Sequence, residues 1–511
     1  MILLEFVLNG SQRFRWSVLL ATLPVLVCRA LAGESIRQEA ASANPSSAAR
    51  PLNVLLIMSD DLTATALSCY GNSVCSTPNI DSLASRGTRF TRAYCQATYC
   101  GPSRASMLTG YYPHATGVLG YTNPRPQIGD RATWPQHFKN NGYYSARVSK
   151  IFHMGVPGGI EIGGDGRDHN HYNGADDEFS WTERFNSPGP EWKAVGTGET
   201  LEGNPDGKKP VVGGNTFVVV EAEGDDLVHS DGMTAEKAVR LIHDHKDQPF
   251  WLGVGFVRPH VPFVAPSRYF RPFKPFDRME LPPKLEGDWD DIPEAGINYK
   301  TSLNMKMDER RQKKAVGAYY ACVSYVDTQV GKVLAAVRDA GIEDHTVVIF
   351  TSDHGYHLGE HDFWAKVSLR DESAAVPLII CLPGQRPSVC HSLVELIDLF
   401  PTTAKLCGLN IPERLQGRDI SPLLRNPDLS VRDAAFSVAP SRKGFLLRED
   451  QYAFIQYGED AEGGMELFNV QTDPQQFTNL AQLPSHAGQV KDFRQKMSAR
   501  LAAIRQNDLG R

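Results

Sequence analysis

The sequence predicts an α/β domain built on a largely parallel sheet. Two observations predict it. Short continuous apolar runs at residues 54–58, 251–256, 347–350 and 378–381 read as buried strands. Helical patterns lie between them. Residues 310–340 keep an i, i+3, i+4 stripe of Val316, Tyr319, Tyr320, Val323, Val326, Val330, Val333, Leu334 and Val337, with Gly341 where a C-cap glycine belongs. Residues 234–243 read as a second helix, leading into the strand at 251. Strands alternating with helices build parallel sheets.

The first segment stands apart from the fold. Arg13 and Arg15 precede an apolar run, residues 16–28, that is short for a bilayer span, and Ala30, Leu31 and Ala32 form a small-x-small cleavage site. Residues 1–32 are therefore expected to be a signal peptide, for export to the periplasm or the exterior. A flexible Ser- and Ala-rich lead-in follows over 33–50, and no later segment is long and apolar enough for a stable membrane span. The large α/β domain is expected over 51–429. Within it, residues 155–231 are rich in Gly, Asp, Asn and Pro, with a hairpin-like stretch at 216–220. An irregular insertion of that length is usually functional, and it is read as substrate-facing. Beyond 430, runs at 434–438, 444–447, 452–457 and 465–470 read as antiparallel strands and 489–505 as an amphipathic helix, giving a small α+β subdomain over 430–511.

Composition excludes several classes. The 511 residues are 41% hydrophobic and 22% charged, too apolar for a disordered chain. A net charge of -6 argues against a general nucleic-acid binder. Nine Cys are too sparse for a disulfide scaffold, although export permits bridges, with Cys69/Cys75 and Cys390/Cys407 as candidates.

Charged residues follow the carboxyl ends of four apolar runs: Asp60 and Asp61 after the first, Lys150 with His153 after residues 144–148, Arg258 and His260 after the third, and Asp353 with His354 after the fourth. Ligands bind at that edge of open α/β sheets. Adjacent carboxylates repel unless a positive group lies beside them, and oxygen ligands from several strands favour Ca²⁺ or Mg²⁺ over Zn²⁺. Cys100 opens a predicted helix with Pro102 in its first turn and Gly110 near its end. A helix N-terminus stabilises an anion, and Arg104 is one turn on from Cys100. Taken alone, Cys100 reads first as a buried structural thiol or half of a disulfide.

With its neighbours, this stretch resembles the type I sulfatase signature C-x-P-S-R-x-x-x-L-T-G, with Gly101 at the variable position. Pro78, Asn79, Ile80, Asp81, Leu83 and Ala84 match a P-N-I-D-x-L-A stretch, and Ser352 to Gly355 with Leu358 to His361 match S-D-H-G…L-G-E-H. Glu466 to Val470 and Thr472 to Pro474 match a typical C-terminal stretch. Lys150-x-Phe152-His153, Arg258 to Phe263, Ser324 to Gly331 and Trp364-Ala365-Lys366 make the chain most similar to the iduronate-2-sulfatase branch.

That resemblance implies an alkaline-phosphatase-like fold and a sulfuric ester hydrolase in which a formylglycine-generating enzyme oxidises Cys100 to an aldehyde. Its hydrate attacks sulfur and later expels sulfate. The resemblance places Asp60, Asp61, Cys100, Asp353 and His354 around Ca²⁺. It makes Arg104 the stabiliser of the deprotonated diol, Lys150 and Lys366 the neutralisers of sulfate oxygens, His153 the base and His260 the acid. The implied substrate is a sulfated carbohydrate, such as a 2-O-sulfated uronic acid in a polysaccharide or glycosaminoglycan. Two alternatives stay open: a phosphate or phosphonate monoester hydrolase of the same fold, and an unmodified protein that only binds sulfated glycans.

Overall fold

The computed structural model describes residues 50–155, 174–203 and 216–510. The expected signal peptide and nearly all of the lead-in lie outside them. Residues 50–511 form one compact unit.

The main sheet has nine strands: β1 (Asn53–Asp60), β2 (Thr88–Tyr94), β3 (Tyr144–Ser149), β4 (Glu183–Phe185), β5 (Phe250–Pro259), β6 (Thr346–Ser352), β7 (Ala375–Cys381), β8 (Ser388–Cys390) and β9 (Val394–Glu395). Their order is β8-β2-β7-β6-β1-β5-β3-β4, with β9 also paired to β2. The strands β6, β1, β5, β3 and β4 pair in parallel, and β7 runs antiparallel to both its neighbours. The sheet is thus mixed and mostly parallel, as the alternating pattern predicts.

Alternate residues of β1 face opposite cores, because side chains alternate along a strand. Leu55 and Ile57 pack with helices α2 (Ser230–Asp244) and α3 (Glu309–Asp339), while Val54, Leu56 and Met58 pack with helix α1 (Cys100–Thr109). The stripe predicted over 310–340 is the buried face of α3. Its start is capped by Asp308, whose side chain accepts from Arg311 N, and Gly341 past its end has φ +67°.

Helix α2 begins four residues before the predicted start. Tertiary contact decides that boundary: the Asp231 carboxylate accepts from Val257 N at 2.7 Å and Arg258 N at 2.9 Å, tying the first turn to the end of β5. The insertion is less irregular than its composition suggests. Gly196–Thr200 pairs antiparallel with Val218–Ala222, which pairs in parallel with Phe263–Pro266.

The C-terminal strands are β10 (Ala434–Ala439), β11 (Gly444–Glu449), β12 (Tyr452–Tyr457) and β13 (Met465–Asn469), an antiparallel meander covered by α4 (Ala487–Arg505). Phe436, Phe445, Phe454 and Leu467 meet Val490, Phe493, Met497 and Leu501 in one core. Buried ion pairs join this sheet to the rest. Arg432 pairs with both Glu395 and Asp398, and Glu395 also accepts from Phe436 N at 2.7 Å. Arg370 pairs with Glu466 at 2.9 Å.

The disulfide candidates are corrected by the structure. All eight described cysteines are free thiols. Nearness in sequence did not aim their side chains at each other: Cys75 Sγ contacts Tyr320 O, Cys390 Sγ contacts Pro427 O and Cys407 Sγ contacts Leu52 O. Among the described residues no helix is long and apolar enough to cross a membrane.

Removing one partner of a buried ion pair strands the other charge. Arg432→Ala should therefore lower the unfolding free energy by about 3–5 kcal/mol, read from urea midpoints. A loss below about 1 kcal/mol would show that Glu395 and Asp398 do not need it.

Candidate active site

Four adjacent parallel strands end at one place. Asp60 closes β1 and Asp61 follows it, Asp353 and His354 follow β6, Arg258 and Pro259 close β5 before His260, and Lys150 follows β3. Two of these ends are strained: Asp61 has φ 61° and Ser149 φ 62°, left-handed values costly for a residue with a Cβ. Such strain persists only where the surroundings hold it.

Arg104 supplies much of that hold. Helix α1 is buried along its whole length, and Arg104 projects from it among the strand ends. Its Nε donates to Asp353 Oδ2 at 2.8 Å, Nη2 to Asp60 Oδ1 at 3.0 Å, and Nη1 to the carbonyls of Lys150 at 2.6 Å and Ile151 at 3.0 Å. One guanidinium thus ties the ends of β6, β1 and β3 together. Ser103 adds a bond from its hydroxyl to Asp353 O.

Cys100 sits at the open start of α1, where Tyr99 as N-cap offers no side-chain bond. Its Sγ lies 3.2 Å from His354 Nε2, 3.2 Å from Lys366 Nζ and 3.8 Å from Asp61 Oδ1. Lys366 Nζ also donates to both Asp61 oxygens, at 2.7 and 3.0 Å. Lys150 Nζ donates to Asp60 Oδ2. His260 Nε2 is 3.9 Å from Asp61 Oδ2.

All ten predicted site residues therefore fall in one region. Nine of them are buried, including the two lysines, and His153 is partly exposed. Two sets of ligating atoms lie within 4.8 Å of one another: Asp60, Asp61, Cys100 and His260, and Cys100, Asp353 and His354. His260 stands within the first set, a place the sequence reading did not give it. A groove of about 970 Å³ near Arg92, Asp450 and Lys496 shares no residue with this cluster, so chemistry rather than concavity locates the site.

The charges are unequally balanced. Burial alone would raise the Asp60 carboxyl, but Lys150 and Arg104 hold it well below the usual carboxylate range. Burial, with Asp60 and Asp353 close by, pushes Asp61 up against the pull of Lys366 and His354. Asp61 thus wants more positive charge than the protein supplies. Three carboxylates and an imidazole are a donor set that fits a hard cation such as Ca²⁺. Burial and the same carboxylates raise the Cys100 thiol well above its ordinary value, despite Lys366, so the thiol stays protonated. Burial, then Lys150, lowers His153 to about 2, and burial, then Lys366, lowers His260 well below its ordinary value. Both imidazoles are neutral in this arrangement.

Several supporting residues escaped the sequence reading. Tyr319, counted there as part of an apolar stripe, donates its hydroxyl to Asp61 O at 2.7 Å and accepts from Thr63 N at 2.9 Å. Glu191 of the insertion pairs with Arg258, whose Nη1 donates to the carbonyls of His260 and Pro262. Asp176 of the insertion pairs with Arg147 of β3 at 2.7 Å. No motif signals these contacts. Two further histidines near the end of α2 lie outside the site: His243 is exposed, and His245 stacks on Tyr144 at 3.6 Å.

A profile of the sulfatase family matches residues 52–409, and one for the C-terminal part of N-sulphoglucosamine sulphohydrolase matches residues 359–507. A protein named sulfatase from Formosa agariphila is 30% identical over 84% of this chain and 83% of its own length. Iduronate 2-sulfatase of Mus musculus is 34% identical over 73% of this chain and 72% of its own length. Among solved structures, a phosphonate monoester hydrolase from Silicibacter pomeroyi aligns over 90% of this chain and 96% of its own, at TM-score 0.71 and 21% identity. A 2-O GAG sulfatase aligns over 89% and 93%, at TM-score 0.65 and 22% identity. The fold is alkaline-phosphatase-like, as the resemblance implied.

Gly255 on β5 tests how tightly the strand ends fit. A Cβ there would lie 2.0 Å from Lys150 O, the carbonyl that Arg104 grips. Gly255→Ala should lower stability by about 1–3 kcal/mol, as overpacking does. An unchanged melting temperature would show that β3 can move aside freely.

Proposed function

This chain belongs to the sulfatase family and is a sulfuric ester hydrolase, and from that premise we propose that it desulfates a carbohydrate through a formylglycine at position 100 and a bound Ca²⁺. The observation that carries the reading is the place of Cys100: the start of a buried helix, among Asp60, Asp61 and Asp353, beside Lys366. Burial among those carboxylates disfavours a thiolate there. The hydrated aldehyde supplies one hydroxyl that attacks sulfur as the alcohol leaves, and a second whose deprotonation expels sulfate and restores the aldehyde. A Ca²⁺ bound there would supply charge neutralisation and would acidify the attacking hydroxyl.

The chain's own residues do the rest. Asp60, Asp61 and Asp353, with His354 and residue 100, would hold the cation. Lys366 and Lys150 face the sulfate oxygens, and Arg104 stabilises the deprotonated diol while fixing its carboxylate neighbours. His153, neutral in the resting site, takes the proton that releases sulfate. His260 protonates the leaving alcohol; the negative charge of an incoming sulfate ester raises its affinity for a proton, so substrate binding loads the acid. The substrate is a sulfated polysaccharide or glycosaminoglycan residue, with a 2-O-sulfated uronic acid favoured by the likeness to iduronate 2-sulfatase. Residues 1–32 direct export to the periplasm or exterior and 33–50 form a lead-in. Residues 51–429 form the catalytic domain and 430–511 the smaller subdomain, and a formylglycine-generating enzyme matures the protein.

Mass spectrometry of the tryptic peptide spanning residues 93–104, from protein matured in its own host, should show the aldehyde or its hydrate. Cys100→Ala should abolish aryl sulfate hydrolysis with little change in stability. An intact thiol in active protein, or comparable turnover by Cys100→Ala, would overturn the nucleophile. A strong preference for aryl phosphate over aryl sulfate would overturn the substrate class. Adding Ca²⁺ to chelator-treated protein should raise the melting temperature, by the equivalent of about 3–4 kcal/mol when free ion is several hundred times Kd or more. Asp61→Asn should lose most of that gain, and a wild type indifferent to Ca²⁺ would remove the ion from the reading.

A further inference from the structure

Tyr121 takes no part in the chemistry above, yet it is clamped against it. Its ring stacks on His153 with centroids 3.7 Å apart and planes 8° from parallel, and on Tyr99 at 4.6 Å and 20°. Two rings parallel to a third at those spacings cannot share one of its faces, so they flank it. The three rings form one stack. Tyr99 immediately precedes Cys100, and His153 lies three residues past Lys150, so the stack bridges the start of α1 and the end of β3.

Gly101 supplies an independent observation. A Cβ on Gly101 would lie 2.4 Å from Gly120 O and 2.9 Å from Tyr121 Cδ1. Any side chain there would push the Gly120 carbonyl and the Tyr121 ring away from α1. The glycine at the variable position of the motif is therefore what admits Tyr121. The backbone of His153 is pinned as well: Ala175 N donates to its carbonyl at 2.7 Å, and a Cβ on Gly174 would meet that carbonyl at 2.6 Å. Among the described residues, the ring stacked on the imidazole is that of Tyr121, which covers one face of it.

We infer that Tyr121 is a positioning residue that fixes the imidazole plane of His153, and that Gly101 makes room for it. The inference rests on the role proposed above for His153. Proton transfer needs its donor and acceptor in hydrogen-bond reach, and a displacement of about 1 Å can cost about 100-fold in rate. Because both faces of Tyr121 are occupied, its ring is not a platform for a sugar.

The test compares Tyr121→Phe, Tyr121→Ala, Gly101→Ala and the Gly101→Ala/Tyr121→Ala double variant on an aryl sulfate, with rates scaled to the formylglycine content that mass spectrometry gives for each. Tyr121→Ala and Gly101→Ala should each lower kcat by about 10- to 100-fold, with KM within about threefold. Tyr121→Phe keeps the stack and should stay within about threefold of the wild type. The double variant should be no slower than the slower single, because both act through one imidazole. A Tyr121→Ala kcat within about twofold of the wild type, an effect confined to KM, or a Tyr121→Phe as slow as Tyr121→Ala would overturn the inference. A crystal structure of Tyr121→Ala decides the placement without activity: His153 should leave its ring plane, and an unmoved ring would sink the proposal. A wild type that hydrolyses no sulfate ester would defeat the functional reading instead and leave that crystallographic comparison decisive.

Discussion

The arrangement depends on one buried guanidinium. Asp60, Asp61 and Asp353 are brought together fully buried, where like charges repel far more strongly than in solution. Arg104 bridges Asp60 and Asp353 and gives both Nη1 hydrogens to the carbonyls of Lys150 and Ile151. Its planar fork suits this task as a lysine's point charge would not. Because those partners end three different strands, the bond pattern requires β6, β1 and β3 to stop at one level. Sheet order and site geometry are thus one constraint.

The same device recurs where other layers meet. Arg258 with Glu191 joins the insertion to the loop carrying His260, Arg432 with Glu395 and Asp398 joins β10 to the main sheet, and Arg370 with Glu466 joins β13 to the segment after Lys366. A buried pair of this kind adds little net stability over apolar packing, but it punishes misplacement of either partner. In an enzyme of this family such intolerance is useful, since sulfur, nucleophile and counter-charges must meet within tenths of an ångström. The C-terminal sheet shares in it: Val438 N donates to Gln96 O and Thr98 N to Val438 O, just ahead of Cys100, while Val367 N donates to Thr98 O just past Lys366.

Much of this was legible in the residues. Apolar runs ending in Asp60, Lys150, His260 and Asp353 announced both a parallel sheet and the edge that carries its chemistry, since side chains at the carboxyl ends of neighbouring strands must converge. The helix from Cys100 was legible from Pro102 and Gly110. Less was legible where contact is long-range. Tyr319 looks apolar on a helical stripe, yet its hydroxyl holds Asp61 O. Asp231 fixed a helix start that local propensity places later, and Glu191 lay in a stretch whose composition suggested only irregular chain. Cys69 and Cys75 are neighbours in sequence but not partners, because spacing says nothing of direction.

By itself, then, the sequence determined the class of fold, the strand-end residues and the helix that opens at Cys100, because periodicity and motif are local properties of the chain. Only the tertiary structure decided which charges neutralise which, that Lys150 and Lys366 are buried against carboxylates rather than solvated, and that a Cβ at Gly101 would collide with Gly120 and Tyr121, whose ring lies against His153. Those are matters of distance between segments far apart in sequence. They are settled by packing and by the cost of leaving a buried charge alone.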